Sequence, residues 1–383
     1  MTDIRTLITT IETINKVVVE SKGHLDHPED LVFLGDQHGA RKAIDSITSL
    51  VDNPQSITLK YDGYPALVFG RGTDGRFSIM DKHMFNKKDG TGRQVFSPQE
   101  FAQYDASRGV DRSGLHDVIA RIWQGLEKDD RAGNGYYWGD LLFSHPLEAR
   151  GGAYRFKPNP NGIEYEVDAN SDMGKLLSGK DAAIAVHQFI PADAITTDQA
   201  VSLDGSIGNL QNASNVAIVS SKMPITPKLK INADLKKVAE NALAKYGEAV
   251  RELMTTAPQA RKTFNQLFTV FVNKKIVSGS LTNLARDFID FVEARPMSPK
   301  MKALIATHLN QHKQGVIGAF KIWAALYNLK MDVVNQLNKA AESSPVRGYL
   351  ANGKPSQEGF VANGLKYIDR LGFSRQNLSG KRP

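Results

Sequence analysis

Apolar residues in this chain follow two different periods. From Ile57 to Ile190 they alternate or form short runs, as in strands; from about Ile231 to Glu342 they recur every three or four residues, as in helices. In the first region Ile57 and Leu59 alternate with Thr58 and Lys60, which predicts a half-buried strand with Lys60 turned away from the buried face. Asp62-Gly63 then turns the chain. Ala66 to Phe69 and Phe77 to Met80 flank Gly72-Thr73-Asp74-Gly75, a hairpin signal. Tyr136 to Phe143 reads as an aromatic and aliphatic strand. Tyr154 to Lys157 and Ile163 to Val167 read as two strands around a Pro- and Asn-rich turn, and Ala182 to Ile190 as a buried strand. Residues 192–215 are polar and read as loop, and Lys222, Lys228 and Lys230 mark a basic strand or linker.

Helical spacing also occurs outside the 231–342 block. It links Ile4, Leu7, Ile8, Ile11 and Ile14, then Ala43, Ile44, Ile47 and Leu50, then Val118, Ile119, Ile122 and Leu126 within 98–128. Pro28 with Glu29 and Asp30 reads as a helix start with acids in its first turn. His24 and His27 lie near carboxylates, but their spacing matches no established metal-ligand pattern. The long block carries stripes at Leu235, Val238, Ala239, Ala242 and Leu243, at Phe264, Leu267, Phe268 and Phe271, and at Leu284, Phe288, Ile289 and Phe291; Met301 to Leu309 and Val316 to Leu326 continue it. Residues 357–370 return to sheet, as a hairpin around Asn363-Gly364.

Composition narrows the function classes. With no cysteine among 383 residues, disulfides, thiolate metal sites and cysteine catalysis are excluded. The net charge of +7 suits a polyanionic partner such as nucleic acid. No apolar run is long enough to span a membrane. Met1-Thr2-Asp3 lacks the basic region and apolar core of a secretory signal, so a cytoplasmic protein is expected.

A lysine at the end of a strand, just before a glycine turn, can be held rigidly at a pocket mouth, as a covalent nucleophile requires. Lys60-Tyr61-Asp62-Gly63 resembles the Lys-x-Asp-Gly motif of the covalent nucleotidyltransferases, which include ATP-dependent DNA ligases, RNA ligases and mRNA capping enzymes. Three further stretches resemble that family in order. Lys82, with Lys87 in reserve, resembles the basic residue that contacts nucleotide or phosphate. Gly139-Asp140-Leu141 resembles Gly-Glu-Leu with a shorter acid, and His187 or Phe189 resembles the aromatic that stacks on the purine. Glu358-Gly359-Phe360-Val361 with Lys366 resembles the last motifs, a metal-holding glutamate and a phosphate-contacting lysine. Lys228-Leu229-Lys230 fits the lysine motif in letters but precedes Glu358.

The resemblance implies an α+β fold: an antiparallel-sheet nucleotidyltransferase domain with an inserted all-helical domain and no OB domain. The implied plan is N-terminal helices over 1–52, the nucleotidyltransferase domain over 53–230 and 343–383, and the helical insertion over 231–342. It implies ATP and Mg2+, with Lys60 as the nucleophile, its pKa lowered by nearby cations. Asp62, Gly63, Lys82, Asp140, His187, Phe189, Glu358 and Lys366 would line the nucleotide site, and Glu358 and Asp140 would hold the metal. The acceptor would be an RNA or DNA end. Pro65 stands where DNA ligases carry an arginine, and little chain follows Lys366 for an OB domain, so RNA is expected ahead of DNA. The alternatives are a guanylyltransferase, another nucleotidyltransferase, or a catalytically dead nucleic-acid-binding protein. The segment Gly23 to Asp30 and Asp62-Gly63-Tyr64-Pro65-Ala66 also resemble uncharacterised proteins of large tailed phages, which would place the protein in the host cytoplasm. For Glu358 and Lys366 to share a face, the tail hairpin needs a three-residue Ala-Asn-Gly loop that sets Phe360 opposite Lys366.

Overall fold

The computed structural model describes residues 25–86, 95–129, 134–160, 162–194, 196–203, 215–257 and 261–372. The expected helix at 4–14, His24 and Lys87 lie outside them. A 3-10 turn at Pro28–Asp30 leads into α1 (Leu31–Thr48), which kinks where Gly35 and Asp36 leave helical geometry. Then come β1 (Thr58–Lys60), β2 (Ala66–Arg71), β3 (Phe77–Asp81), the short α2 (Lys82–Phe85), α3 (Pro98–Ser107) and α4 (Ser113–Asp129). Residues 98–128 form two helices rather than one, because Gly109 takes a positive φ of 67° and ends the first. β4 (Gly135–Phe143), β5 (Ala153–Phe156), β6 (Glu164–Asp168), α5 (Asp172–Leu177), β7 (Ala182–Ile190), β8 (Val201–Ser202) and β9 (Val216–Ser220) follow. Strand β9 and the short β8 arise in or beside the stretch read as loop.

The helical pattern beyond 231 becomes α6 (Ala233–Thr255), α7 (Arg261–Ser278), α8 (Leu284–Ala294), α9 (Pro299–Gln311) and α10 (Lys313–Ala341). The last helix runs well past the stripe read at 316–326, because Leu329, Val333, Val334 and Leu337 continue its buried face. Val238 departs from its expected stripe and is exposed. The chain ends in β10 (Val346–Tyr349), β11 (Gly359–Ala362) and β12 (Leu365–Tyr367). The protein is thus a mixed α+β protein with mainly antiparallel sheets.

The chain divides into two compact units. One holds Gly63–Glu148 and Asp172–Ser221. Its sheet has the order β3-β2-β4-β7-β8, antiparallel throughout, with β9 parallel against β7. Helices α3 and α4 contribute Phe101, Ile119, Ile122 and Trp123 to a core with Leu67, Ile79, Tyr136 and Ile184.

The second unit holds His27–Asp62, Ala149–Ser171 and the chain from Lys222. It contains two three-stranded antiparallel sheets, β1-β11-β12 and β10-β6-β5, together with α1 and α6 to α10. Phe33, Phe268, Phe288 and Phe320 stack in its helical core. At one buried point four charges meet. Lys330 donates to Glu29 at 2.7 Å, and Arg370 reaches Glu29 at 3.1 Å and Asp30 at 2.9 Å. Trp323 Nε1 also donates to Asp30. Glu29 and Asp30 thus stand in the first turn, as expected, and are also the counter-charges of a buried cluster. Burial pushes the Glu29 carboxyl up, yet Lys330, His27 and Arg370 more than offset it and hold it at about 2.

Candidate functional site

Strand β1 forms one edge of the sheet it makes with the tail hairpin, in the order β1-β11-β12. It pairs with β11 so that Thr58 faces Val361, Leu59 faces Phe360 and Lys60 faces Gly359. Directly opposed residues share a face of the sheet, so Leu59 and Phe360 lie with Tyr367 in one buried row. Lys60 lies on the other face, as its alternation predicted. Its cross-strand partner is a glycine with no side chain to crowd it. A Cβ at Gly359 would lie 2.5 Å from Ile368 Cγ1, so the close strand crossing also requires glycine there. Glu358 sits in a bend just before β11, and its Oε1 binds Lys60 Nζ. The Glu-Gly dipeptide thus has a physical sense: the glycine opposes the lysine and the glutamate reaches it.

Three expectations about this site need correction. The hairpin closes through two residues, Asn363 (φ 52°) and Gly364 (φ 68°), the positive-φ pair of a type I′ turn. Val361, not Phe360, therefore opposes Lys366, so the three-residue loop does not form and the register does not place Lys366 on the face expected for Glu358. The buried His27 imidazole is held well below its usual range, first by burial and then by the nearby Arg370, Lys330 and Lys366. Second, Lys60 Nζ is bound to the Glu358 carboxylate, a partner that the expected activation by cations did not include. Third, Asp62 does not project a free carboxylate. It is buried, its Oδ2 accepts the Ile163 N–H at 3.0 Å, and Asn159 Nδ2 lies 3.5 Å from Oδ1. A Cβ at Gly162 would fall 1.5 Å from Asp62 Oδ2, so that glycine makes room for the acid.

Tyr165 is the residue that sequence reading missed. Its hydroxyl oxygen accepts the Asp62 N–H at 2.7 Å, and its ring lies 5.4 Å from that of Tyr61. Burial raises its phenol well above the ordinary range, and the charges of Glu358 and Asp62 raise it further. Tyr165 therefore stays a neutral hydroxyl. The only signal in the sequence was its inward place on an alternating strand.

The other unit gathers a second polar cluster on β4 and β7. Asp140 stands between Ala66 and Ala185, small neighbours that leave its carboxylate half-exposed. On β7, Gln188 opposes Trp138 and Val186 opposes Gly139, so His187 is the extra residue of a bulge. A bulge re-aims the side chain it carries. His187 Nε2 comes 3.5 Å from Asp140 Oδ2, and its ring lies 5.4 Å from Trp138. Lys82, at the start of α2, holds Nζ 5.0 Å from the centre of the Trp138 ring. Phe189 is not in this cluster. It packs on Tyr137, 5.4 Å between centroids, against the hydrophobic core, and strand alternation puts Tyr137 on the face opposite Trp138 and Asp140. Gly63 packs on the same strand: a Cβ there would meet Asp140 Cβ at 2.5 Å, and the Tyr64 N–H donates to Leu141 O at 2.9 Å.

Among the described residues no group of three or more His, Asp or Glu side chains is placed to hold a metal ion. Glu358 offers a single carboxylate, bonded to Lys60, and in the other unit Asp140 offers one near His187. A single carboxylate fits a Mg2+ ion carried mainly by phosphates, not one caged by protein.

No curated protein and no solved structure matches this chain. A family model described as "Family of unknown function (DUF6267)" matches residues 22–382. The match spans nearly the whole chain, which therefore belongs to this family of unknown function.

Proposed function

We propose that the protein is an ATP-dependent nucleotidyltransferase that forms a lysyl-AMP intermediate on Lys60 and passes AMP to a polynucleotide end. The observation that supports this reading most is the Lys60–Glu358 contact. Two residues 298 positions apart, each in a motif with the letters of that superfamily, meet through register-paired strands. An attacking amine must first be neutral. Glu358 Oε1 is the group placed to take its proton. The freed Nζ then attacks the α-phosphorus of ATP, a nitrogen–phosphorus bond forms, and the bond to pyrophosphate breaks with its electron pair. Transfer of AMP to a 5′-phosphate would release Lys60, and a 3′-hydroxyl would displace AMP to seal the strand. RNA is proposed ahead of DNA because Pro65 takes the place of the DNA-ligase arginine.

When bound with the nucleotide, Mg2+ would supply Lewis-acid stabilisation of the phosphates, with Glu358 as a carboxylate contact only before it takes the lysine proton. Asp62 and Tyr165 act by fixing the backbone that follows Lys60. The test is incubation with α-labelled ATP, GTP or NAD and Mg2+, followed by a denaturing gel. Acid-labile label from ATP supports the reading, and label from GTP alone makes the protein a guanylyltransferase. No label in folded protein overturns it in favour of a binding protein without catalysis. Glu358→Gln should slow labelling about 100-fold while Asp140→Asn tests the second cluster separately.

A further inference from the structure

The basic charge of this protein is not spread along its length. Residues 233–341, α6 to α10, hold 16 of the 48 Lys and Arg but only 8 of the 41 Asp and Glu, so their excess of 8 exceeds the +7 of the whole chain. Within that block the charge is concentrated again. From Ala294 to Met331 there are six Lys and Arg and no Asp or Glu. One of the six, Lys330, is spent in the buried cluster. Arg295 lies over the Phe291 ring at 5.3 Å. Lys300, Lys302, Lys313 and Lys321 are exposed or half-exposed, and among the described residues none of them forms an ion pair.

Helix geometry groups these lysines. Lys313, Ile317 and Lys321 are four residues apart and share one exposed stripe of α10. On α9, Lys300, Met301 and Leu304 are likewise exposed. The two helices meet at His312, the C-cap of α9 and the N-cap of α10. The contrast with α6 is direct. There Lys236, Lys237 and Lys245 alternate with Asp234, Glu240, Glu248 and Glu252, and Lys236 lies 3.8 Å from Glu240.

We propose that α9 and the first half of α10 form the surface that binds the phosphate backbone of a nucleic acid. An acid-free row of lysines supplies the sequence-independent electrostatic attraction that polyanion binding needs. No aromatic side chain is exposed among these lysines to stack on bases, so contact falls on phosphates and sugars, and the exposed aliphatics are too few for membrane insertion. Choosing nucleic acid among polyanions rests on the nucleotidyltransferase reading above; the cationic face itself does not.

The test is fluorescence anisotropy of the full chain with labelled single-stranded and duplex RNA and DNA, without nucleotide, across a salt series. One variant carries Lys300→Glu, Lys302→Glu, Lys313→Glu and Lys321→Glu. A control carries Lys236→Glu, Lys237→Glu, Lys245→Glu and Lys274→Glu, the same charge change elsewhere in the block. The first variant is expected to bind at least ten-fold more weakly, with the slope of log affinity against log salt flatter by up to about 3. Thermal melts monitor folding of both variants. Equal loss in the control, no binding by the unaltered protein, or preference for phosphatidylserine vesicles over oligonucleotides overturns the inference. Labelling of Lys60 by ATP is measured in parallel and is expected to be unchanged. Lost binding contrast with intact labelling sinks this surface alone, and intact binding without labelling sinks the enzyme reading alone.

Discussion

The same unit contains two lysine–glutamate pairs that join opposite ends of the chain, and they differ in burial. Lys330 and Glu29, 301 residues apart, are wholly shielded, each 0% exposed. Lys60 and Glu358, 298 apart, leave the lysine side chain 30% exposed and the glutamate 8%. Their surroundings differ too. Arg370, Asp30 and Trp323 complete the first pair's bonding, and the cluster ties the Pro28–Asp30 turn, α10 and the chain after β12 together. The second pair lies at a strand end, where the lysine side chain stays partly exposed. The contrast teaches that access separates the two pairs: the enclosed one can serve only as a lock, and the half-open one leaves its lysine within reach of solvent.

Breaking the enclosed pair should have the largest effect on stability. Lys330→Met leaves Glu29 buried with half its charge compensation gone and is expected to cost about 3 to 5 kcal/mol in urea unfolding. Lys60→Met should cost only about 1 to 2 kcal/mol. Equal losses would erase the distinction between the enclosed and the half-open pair. Next, Gly162→Ala drives a methyl group into the Asp62 carboxylate and should cost about 1 to 3 kcal/mol. A neutral result there would mean that the loop after Asn159 is not pinned by Asp62.

The smallest effect concerns pH. His27 is held neutral beside the enclosed pair, its folded pKa lowered by burial, with Arg370, Lys330 and Lys366 adding to the effect against Glu29. A group depressed in the folded state contributes stability that is present above its unfolded pKa, near 6.5, and is lost as pH falls through the folded value. The unfolding midpoint should therefore fall as pH drops below about 6.5. His308 is lowered by burial as well and adds in the same direction. His27→Gln should flatten this dependence in part, and an unchanged profile would show that His27 is not the titrating group.

The strands around Lys60, the 66–81 hairpin and the five late helices were legible because local period encodes them. The tail hairpin was legible as a hairpin, but its loop length was set by backbone preference. Asn363 and Gly364 both accept positive φ, and a two-residue turn needs nothing more. The extent of α10 was hidden because a lysine stands at a core position, and only a glutamate 301 residues away makes that tolerable. Tyr165 and the His187 bulge were invisible for the same reason: each owes its role to a partner distant in sequence. The division into two discontinuous units likewise rests on such long-range contacts.

The central claim is that Lys60 accepts AMP. The most direct test is intact-mass analysis after incubation with ATP and Mg2+, followed by peptide mapping, beside Lys60→Met that is shown to be folded. The account predicts a gain of one AMP, carried on the peptide containing Lys60 and absent from the variant. An unmodified protein, or an adduct that persists when Lys60 is replaced, would contradict it.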